Sequence, residues 1–254
     1  MEITIWSYFF CLLGAALAGM INTFAGNGSV ITLSLLTEVL GLPGQMANGT
    51  NRIGVFFQGI GSATGFAKSG ISMGKQSLQP IIVTILGAIA GVITVLEISN
   101  EDFLFVFKWA MVVMLVVVLI QPEKWISKEN HLKTYNPWVS IPIFFIIGFY
   151  GGFLQMGAGI LLLAVFVLLS GYNIITANAL KNIVILVYTA IVLVLFAWNK
   201  QMNWGMGLIL ASGQTAGGYL SARYLTKVAD IEKWSYRLLV IVILIALASQ
   251  FGVF

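Results

Sequence analysis

The sequence predicts an all-α polytopic membrane protein, built as two homologous halves of about five membrane segments each. Three observations predict it. First, 59% of the 254 residues are hydrophobic, only 9% are charged and the mean hydropathy is +0.97, whereas a soluble domain carries roughly a quarter charged residues. Second, charge-poor runs near 20 residues long recur along the whole chain, as helices crossing a core of about 30 Å require. Third, two polar trios stand about 130 residues apart, Asn48, Asn51 and Arg52 and then Asn178, Lys181 and Asn182. Their i, i+3, i+4 spacing puts each trio on one helix face.

Ten apolar segments follow in order, at residues 3–24, 30–40, 45–66, 78–96, 103–120, 138–155, 160–170, 174–197, 204–225 and 234–251. The first has no basic region before it and is read as a retained helix rather than a cleaved signal. Its Cys11, the only cysteine, has no internal partner and is read as lipid-facing or packed. The second and seventh segments are short: about 11 helical residues cover about 16 Å. Each follows a glycine-rich break, Gly26-Asn27-Gly28-Ser29 or Gly157-Ala158-Gly159, so the short helices are expected to start at Val30 and Ile160. The third and eighth carry the trios, and Gln58 and Tyr188 continue the two polar faces at corresponding positions.

Further matches align the halves. Phe66-Ala67 pairs with Phe196-Ala197, Gly74 with Gly205, and Gly87-x-x-x-Gly91 resembles Gly213-x-x-x-Gly217; such glycine pairs let helix backbones approach closely. The reading is a first transmembrane repeat at 1–121, a cytoplasmic linker at 122–136 and a second repeat at 137–254. If every segment crosses, Lys68, Lys75, Lys124, Lys128, Lys133, Arg223, Lys227, Lys233 and Arg237 share one side, opposite Glu2, Glu97, Asp102 and Lys200. That satisfies the positive-inside rule, puts both termini outside and makes the repeats inverted. If the two short segments re-enter instead, the repeats are parallel.

An unwound break exposes backbone groups that lipid cannot satisfy, so each must line a cavity or pack against protein. Discontinuous helices at corresponding places in two halves point to a transporter site near the midplane. Arg52 and Lys181 lie about 10 Å into their helices, with no acid on either helix. They either snorkel to the interface or attract an anion: Arg52 by a bidentate pair, Lys181 as a point charge. The candidate substrate-binding residues are Asn22, Thr23, Gly26, Asn27, Gly28, Asn48, Asn51, Arg52, Gln155, Gly157, Gly159, Asn178, Lys181 and Asn182.

Other polar residues read as less informative. Glu38 is a candidate proton carrier or an interfacial carboxylate, Lys108 is expected to snorkel, and His131 to be solvated. Gln214 and Thr215 either face a cavity or bond between helices. The tryptophans cluster near segment ends, where interfacial belts place them. One histidine and one cysteine, far apart, make no metal cluster, and no phosphate-binding loop is present. No cofactor, metal or nucleic acid is expected; the expected partners are a small anion and the bilayer, with a homodimer left open. An intramembrane enzyme would need a nucleophile with a base, a metal or paired carboxylates, and none is evident. A channel and a non-transporting assembly protein are the alternatives to a carrier.

At Ala18-Gly19-Met20-Ile21-Asn22-Thr23-Phe24-Ala25-Gly26-Asn27-Gly28 and at Gly148-Phe149-Tyr150-Gly151-Gly152-Phe153-Leu154-Gln155-Met156-Gly157-Ala158-Gly159, each followed by a short helix and an Ala-Asn helix, the chain resembles the sulfite exporter TauE/SafE family over nearly its whole length. Ser29 and Ile160 interrupt the family's richer glycine runs. The resemblance implies export of a small sulfur-containing or organic anion, such as sulfite or sulfoacetate, across a bacterial inner membrane.

Overall fold

The structure, a computed structural model, describes residues 5–71, 78–97, 136–250 and the isolated positions 99, 109, 112–113, 115–116, 119 and 129. Among these residues there are only helices and connecting turns: α1 (Ile5–Ala25), α2 (Ser29–Ser34), α3 (Gly44–Lys68), α4 (Leu78–Val95), α5 (Pro137–Phe153), α6 (Ala158–Ala164), α7 (Ile174–Trp198), α8 (Trp204–Tyr224) and α9 (Ile231–Gln250). Most of the expected segment 103–120, Lys108 included, most of the linker, His131 included, and the Glu38 side chain lie outside the described residues.

Three helix starts differ from expectation. The short helices start at Ser29 and Ala158 rather than at Val30 and Ile160. The chain is unwound over 26–28 and over 154–157, so Ala158 and Gly159 are helical rather than part of the break. Helix α9 starts at Ile231, three residues before the predicted apolar run; helical hydrogen bonding begins at Asp230, whose carbonyl accepts from Trp234 N–H at 3.2 Å, ahead of the hydropathy boundary.

The two short helices end alike. Each passes into a π turn, Leu35–Val39 or Val165–Leu169, closed by Leu40 N–H to Leu35 O and Ser170 N–H to Val165 O, both 3.0 Å. Gly41 (φ 68°) and Gly171 (φ 75°) then take the left-handed conformation. Leu42 N–H and Tyr172 N–H reach back to Leu36 O and Phe166 O at 2.8 and 3.0 Å, satisfying carbonyls the helix leaves open. The helices that follow, α3 and α7, are both 25 residues long and cross in opposite senses. A Cβ on Gly49 would touch Phe196 at 2.8 Å, Gln58 bonds Asn182, and Phe66 packs with Ala179.

Glycines decide which helices pair. A Cβ on Gly91 would come within 2.8 Å of Phe149 C and Phe153 N, and one on Gly152 within 2.7 Å of Ala88 C and Cα, so α4 and α5 run parallel in backbone contact. Gly217 likewise meets Ala16 and Gly213 meets Ala15, joining α8 to α1, while Gly65 meets Ala222, joining α8 to α3. The packing therefore gathers α1, α2, α3 and α8 on one side and α4, α5, α6 and α7 on the other. The apolar cores follow that division only in part, since the larger also takes in Ala25 of α1 and Val55 of α3, and a third joins Phe66, Ala179 and Ala222 across both groups. One holds Cys11, Ala15, Leu36, Leu40, Ala47 and Leu210; the larger holds Val92, Phe144, Leu162, Phe166 and Val184 among others. Cys11 is thus packed rather than lipid-facing. The outward faces carry exposed Leu17, Ile82, Ile93, Ile146 and Val194, and Trp138, Trp198, Trp204 and Trp234 stand exposed near helix ends.

Candidate functional site

Helix α1 stops because Gly26 turns left-handed (φ 77°), and α5 stops before Gln155 (φ 64°) and Gly157 (φ 75°). Each stop leaves backbone carbonyls without an intrahelical donor, deep among apolar residues where water cannot serve. The polar faces of α3 and α7 supply the donors, each to the broken helix of the other half of the sequence.

Arg52 of α3 caps α5. Its Nη1 donates to Gly151 O at 2.7 Å and to Gln155 Oε1, and its Nη2 to Gly152 O at 2.8 Å and Asn48 Oδ1 at 3.4 Å. Asn48 Nδ2 donates to Phe153 O at 3.4 Å, and the Phe196 ring lies 5.4 Å from the guanidinium carbon. Lys181 of α7 caps α1. Its Nζ donates to Asn22 O at 2.8 Å, Thr23 O at 2.9 Å and Asn178 Oδ1 at 2.7 Å, and Asn182 Nδ2 adds a bond to Thr23 O at 3.2 Å. Both cations are 0% exposed, so the snorkelling alternative is overturned. Carbonyls at a helix C-terminus carry about half a negative charge, which makes them natural partners for a buried cation.

Gln58 joins the two helices. Its Oε1 accepts from Asn22 Nδ2 at 2.7 Å, and its Nε2 lies 3.1 Å from Thr23 Oγ1, 2.9 Å from Ser62 Oγ and 3.0 Å from Asn182 Oδ1. On the facing side Tyr188 donates to Gln155 Oε1 at 3.4 Å. Neither Gln58 nor Tyr188 was among the predicted site residues. The available signal was spacing, since both sit seven residues beyond a trio member and so on the same face. Thr32 Oγ1 donates to Asn51 Oδ1 at 2.6 Å, and Gln214 Nε2 lies 3.5 Å from the same oxygen. Gln214 therefore bonds between helices, whereas Thr215 bonds back to Ala211 O at 2.5 Å and lines an apolar groove with Phe57, Leu208 and Tyr219.

The structure thus brings Asn22, Thr23, Asn178, Lys181 and Asn182 together at the end of α1, and Asn48, Arg52 and Gln155 at the end of α5. Gly26 and Gly159 meet between them, with Gly28 at the start of α2 and Gly157 at the start of α6. Asn27 is fully buried and neither of its side-chain polar atoms has a partner; the same is true of Asn51 Nδ2, Arg52 Nε and Gln214 Oε1. The breaks pack against each other, the second of the two outcomes open to them.

The sequence model of the sulfite exporter TauE/SafE family matches residues 11–251. The chain is 26% identical over 244 residues to a probable membrane transporter protein ORF9 of Sinorhizobium sp, covering 95% of this chain and 90% of that one. It is 24% identical to the probable membrane transporter protein YfcA of Escherichia coli K12, over 82% of this chain and 77% of that protein. A probable membrane transporter protein of Haemophilus influenzae is 23% identical over 81% of this chain and 80% of its own. No solved structure matches. Together with the lipid-like exterior of its helices, the match across nearly the whole chain identifies this protein as an integral membrane member of the sulfite exporter TauE/SafE family.

Proposed function

We propose that this protein is a secondary transporter of a small anion, a sulfur oxyanion or organosulfonate such as sulfite or sulfoacetate, exported across a bacterial inner membrane by alternating access. The observation that carries the reading is the charge balance at the breaks. Among the described residues, two fully buried cations have only neutral oxygens as hydrogen-bond partners. Two helix C-termini offset about one charge between them, leaving about one positive charge unpaired. Buried cations without a counter-ion are costly and mark ion pathways in membrane proteins. Unpartnered donors on Asn27 and Asn51 add neutral hydrogen bonds for an oxyanion, and Arg52 Nε adds a charged one. Export also follows the potential, by about 2.3 kcal/mol per charge at 100 mV inside negative.

In this reading the halves are inverted repeats. The opposite course of α3 and α7 and the matching π turns, 130 residues apart, support it. The moving bodies are the two packing groups rather than the two sequence halves: α1, α2, α3 and α8 rock against α4, α5, α6 and α7 about the α3–α7 seam. The contact between Gly26 and Gly159 is then the closed state that an anion opens. The test is flux of sulfite, thiosulfate and sulfoacetate into proteoliposomes. Saturable flux with counterflow, lost in Arg52→Ala and Lys181→Ala, is expected; wild-type flux in both variants sinks the anion site. Currents that do not saturate favour the channel alternative.

A further inference from the structure

Gln155 differs from every other residue at the breaks. It is buried, yet it holds φ 64°; Lys200 and Asp230, the other non-glycine residues with positive φ among the described residues, lie at solvent-facing turns. L side chains rarely adopt this conformation. Its effect here is to aim Oε1 at the guanidinium of Arg52 and the hydroxyl of Tyr188. Arg52 uses its other contacts on the main chain of α5 and on Asn48, and its Nε has no partner. No side chain of the first break does the same for Lys181, whose acceptors are two main-chain carbonyls and Asn178 of its own helix.

We propose that Gln155 is a self-supplied ligand, whose amide oxygen occupies the edge of the Arg52 guanidinium that an oxyanion needs and which the anion must displace in order to bind. This rests on the anion-transport reading above and names a control within that site. A neutral amide oxygen suits the role. It satisfies a buried N–H in the empty protein, yet it is the weaker partner, because an oxyanion adds to the hydrogen bond a charge–charge attraction for the guanidinium that a neutral amide lacks. Displacement makes the apparent affinity lower than the intrinsic one by the fraction of protein in which Arg52 is free. Tyr188 keeps the displaced amide from being stranded, since its hydroxyl already bonds the same oxygen.

The test uses the full-length protein in proteoliposomes with sulfite, thiosulfate and sulfoacetate as probes. Gln155→Gly and Gln155→Asn both tolerate a left-handed backbone and cannot reach Arg52 as glutamine does. Both are expected to lower KM for the transported anion several-fold. Gln155→Glu supplies a tethered carboxylate; it is expected to raise the anion-free Tm, abolish the anion-induced rise in Tm and cut flux at least ten-fold. A purely structural role for Gln155 predicts lower Tm and lower maximal flux with unchanged KM in Gln155→Gly and Gln155→Asn, and that result overturns the proposal. Wild-type flux in Gln155→Glu overturns it as well. In both cases the wild-type protein still carries the anion, so the transport reading survives; a wild-type protein that neither binds nor carries any of the three probes removes both.

Discussion

Gly26 and Gly159 meet backbone to backbone: a Cβ on Gly159 would stand 2.8 Å from both the Cα and the carbonyl oxygen of Gly26. The end of α1 and the start of α6, about 130 residues apart in sequence, are thus held together at a point where neither carries a side chain. The contact joins the two packing groups and lies between the two capped helix ends.

That geometry separates two roles of glycine. Gly70→Ala puts a Cβ at φ 80° into open space, Gly159→Ala puts one into the Gly26 backbone, and Gly26→Ala does both. The left-handed conformation costs roughly 1–2 kcal/mol and overpacking about 1–3 kcal/mol. Thermal unfolding in detergent should therefore rank Gly26→Ala lowest, about 2–5 kcal/mol below wild type if the two costs add. Equal Tm for Gly26→Ala and Gly70→Ala would show that the close approach carries no energy.

Removing either cap should destabilise as well as inactivate. Arg52→Ala strands Gly151 O and Gly152 O and leaves Gln155 Oε1 with Tyr188 alone, whereas Lys181→Ala leaves Asn22 O one bond from Gly26 N–H and Thr23 O one bond from Asn182. A stranded buried group costs about 1–3 kcal/mol in soluble proteins, and polar contacts within bilayers average about 0.6 kcal/mol. Both variants should lose several degrees of Tm, Arg52→Ala more. Arg52→Lys keeps the charge without the two-pronged geometry, so it should recover part of the stability with a raised KM. Full recovery of both would show that charge alone matters.

The seam between packing groups can be locked. In a Cys11→Ala background, Gly59→Cys with Leu186→Cys spans α3 and α7, where a Cβ on residue 59 would lie 2.9 Å from Leu186 Cβ. Gly65→Cys with Ala222→Cys spans α3 and α8 within one group, at 2.8 Å. Oxidation should stop flux in the first pair, reversibly on reduction, and leave the second transporting. Equal flux in both oxidised pairs would refute motion at that seam.

Gln58 should behave as a structural centre. Gln58→Leu removes its contacts with Asn22, Thr23, Ser62 and Asn182 and leaves the buried Asn22 amide group without that acceptor. A loss on the order of 2–3 kcal/mol is expected, read as a Tm decrease with anion-induced stabilisation retained. A silent substitution would show that the network reorganises around a leucine.

Much of this was legible in advance. The helices were readable because bilayer thickness and the 3.6-residue period act on local sequence; α3 and α7 came within two residues of expectation at each end. The breaks were visible as glycine runs, but their limits were not, because Ala158 is a good helix former and Gly159, a poor one, is held in the helix where only a residue without a side chain can meet Gly26. The cations were marked by their depth and lack of acids. Their partners were hidden, since main-chain carbonyls look alike in any sequence, and nothing local says that Arg52 bonds Gly151 or that Lys181 bonds Asn22. Gln58 lay on the expected face but looked like any other amide there.

Composition, segment lengths and the two polar trios by themselves determined a helical chain built for the bilayer, with paired polar faces and paired interruptions. Tertiary structure decided that each cation caps the broken helix of the opposite half, and that α8 joins α1 and α3 while α4 joins α5 and α7. The reason is physical. Helix formation and lipid burial depend on residues within a few turns, whereas an open carbonyl or a side-chain-free glycine face takes its partner from whichever distant segment can reach it without leaving a polar group unpaired.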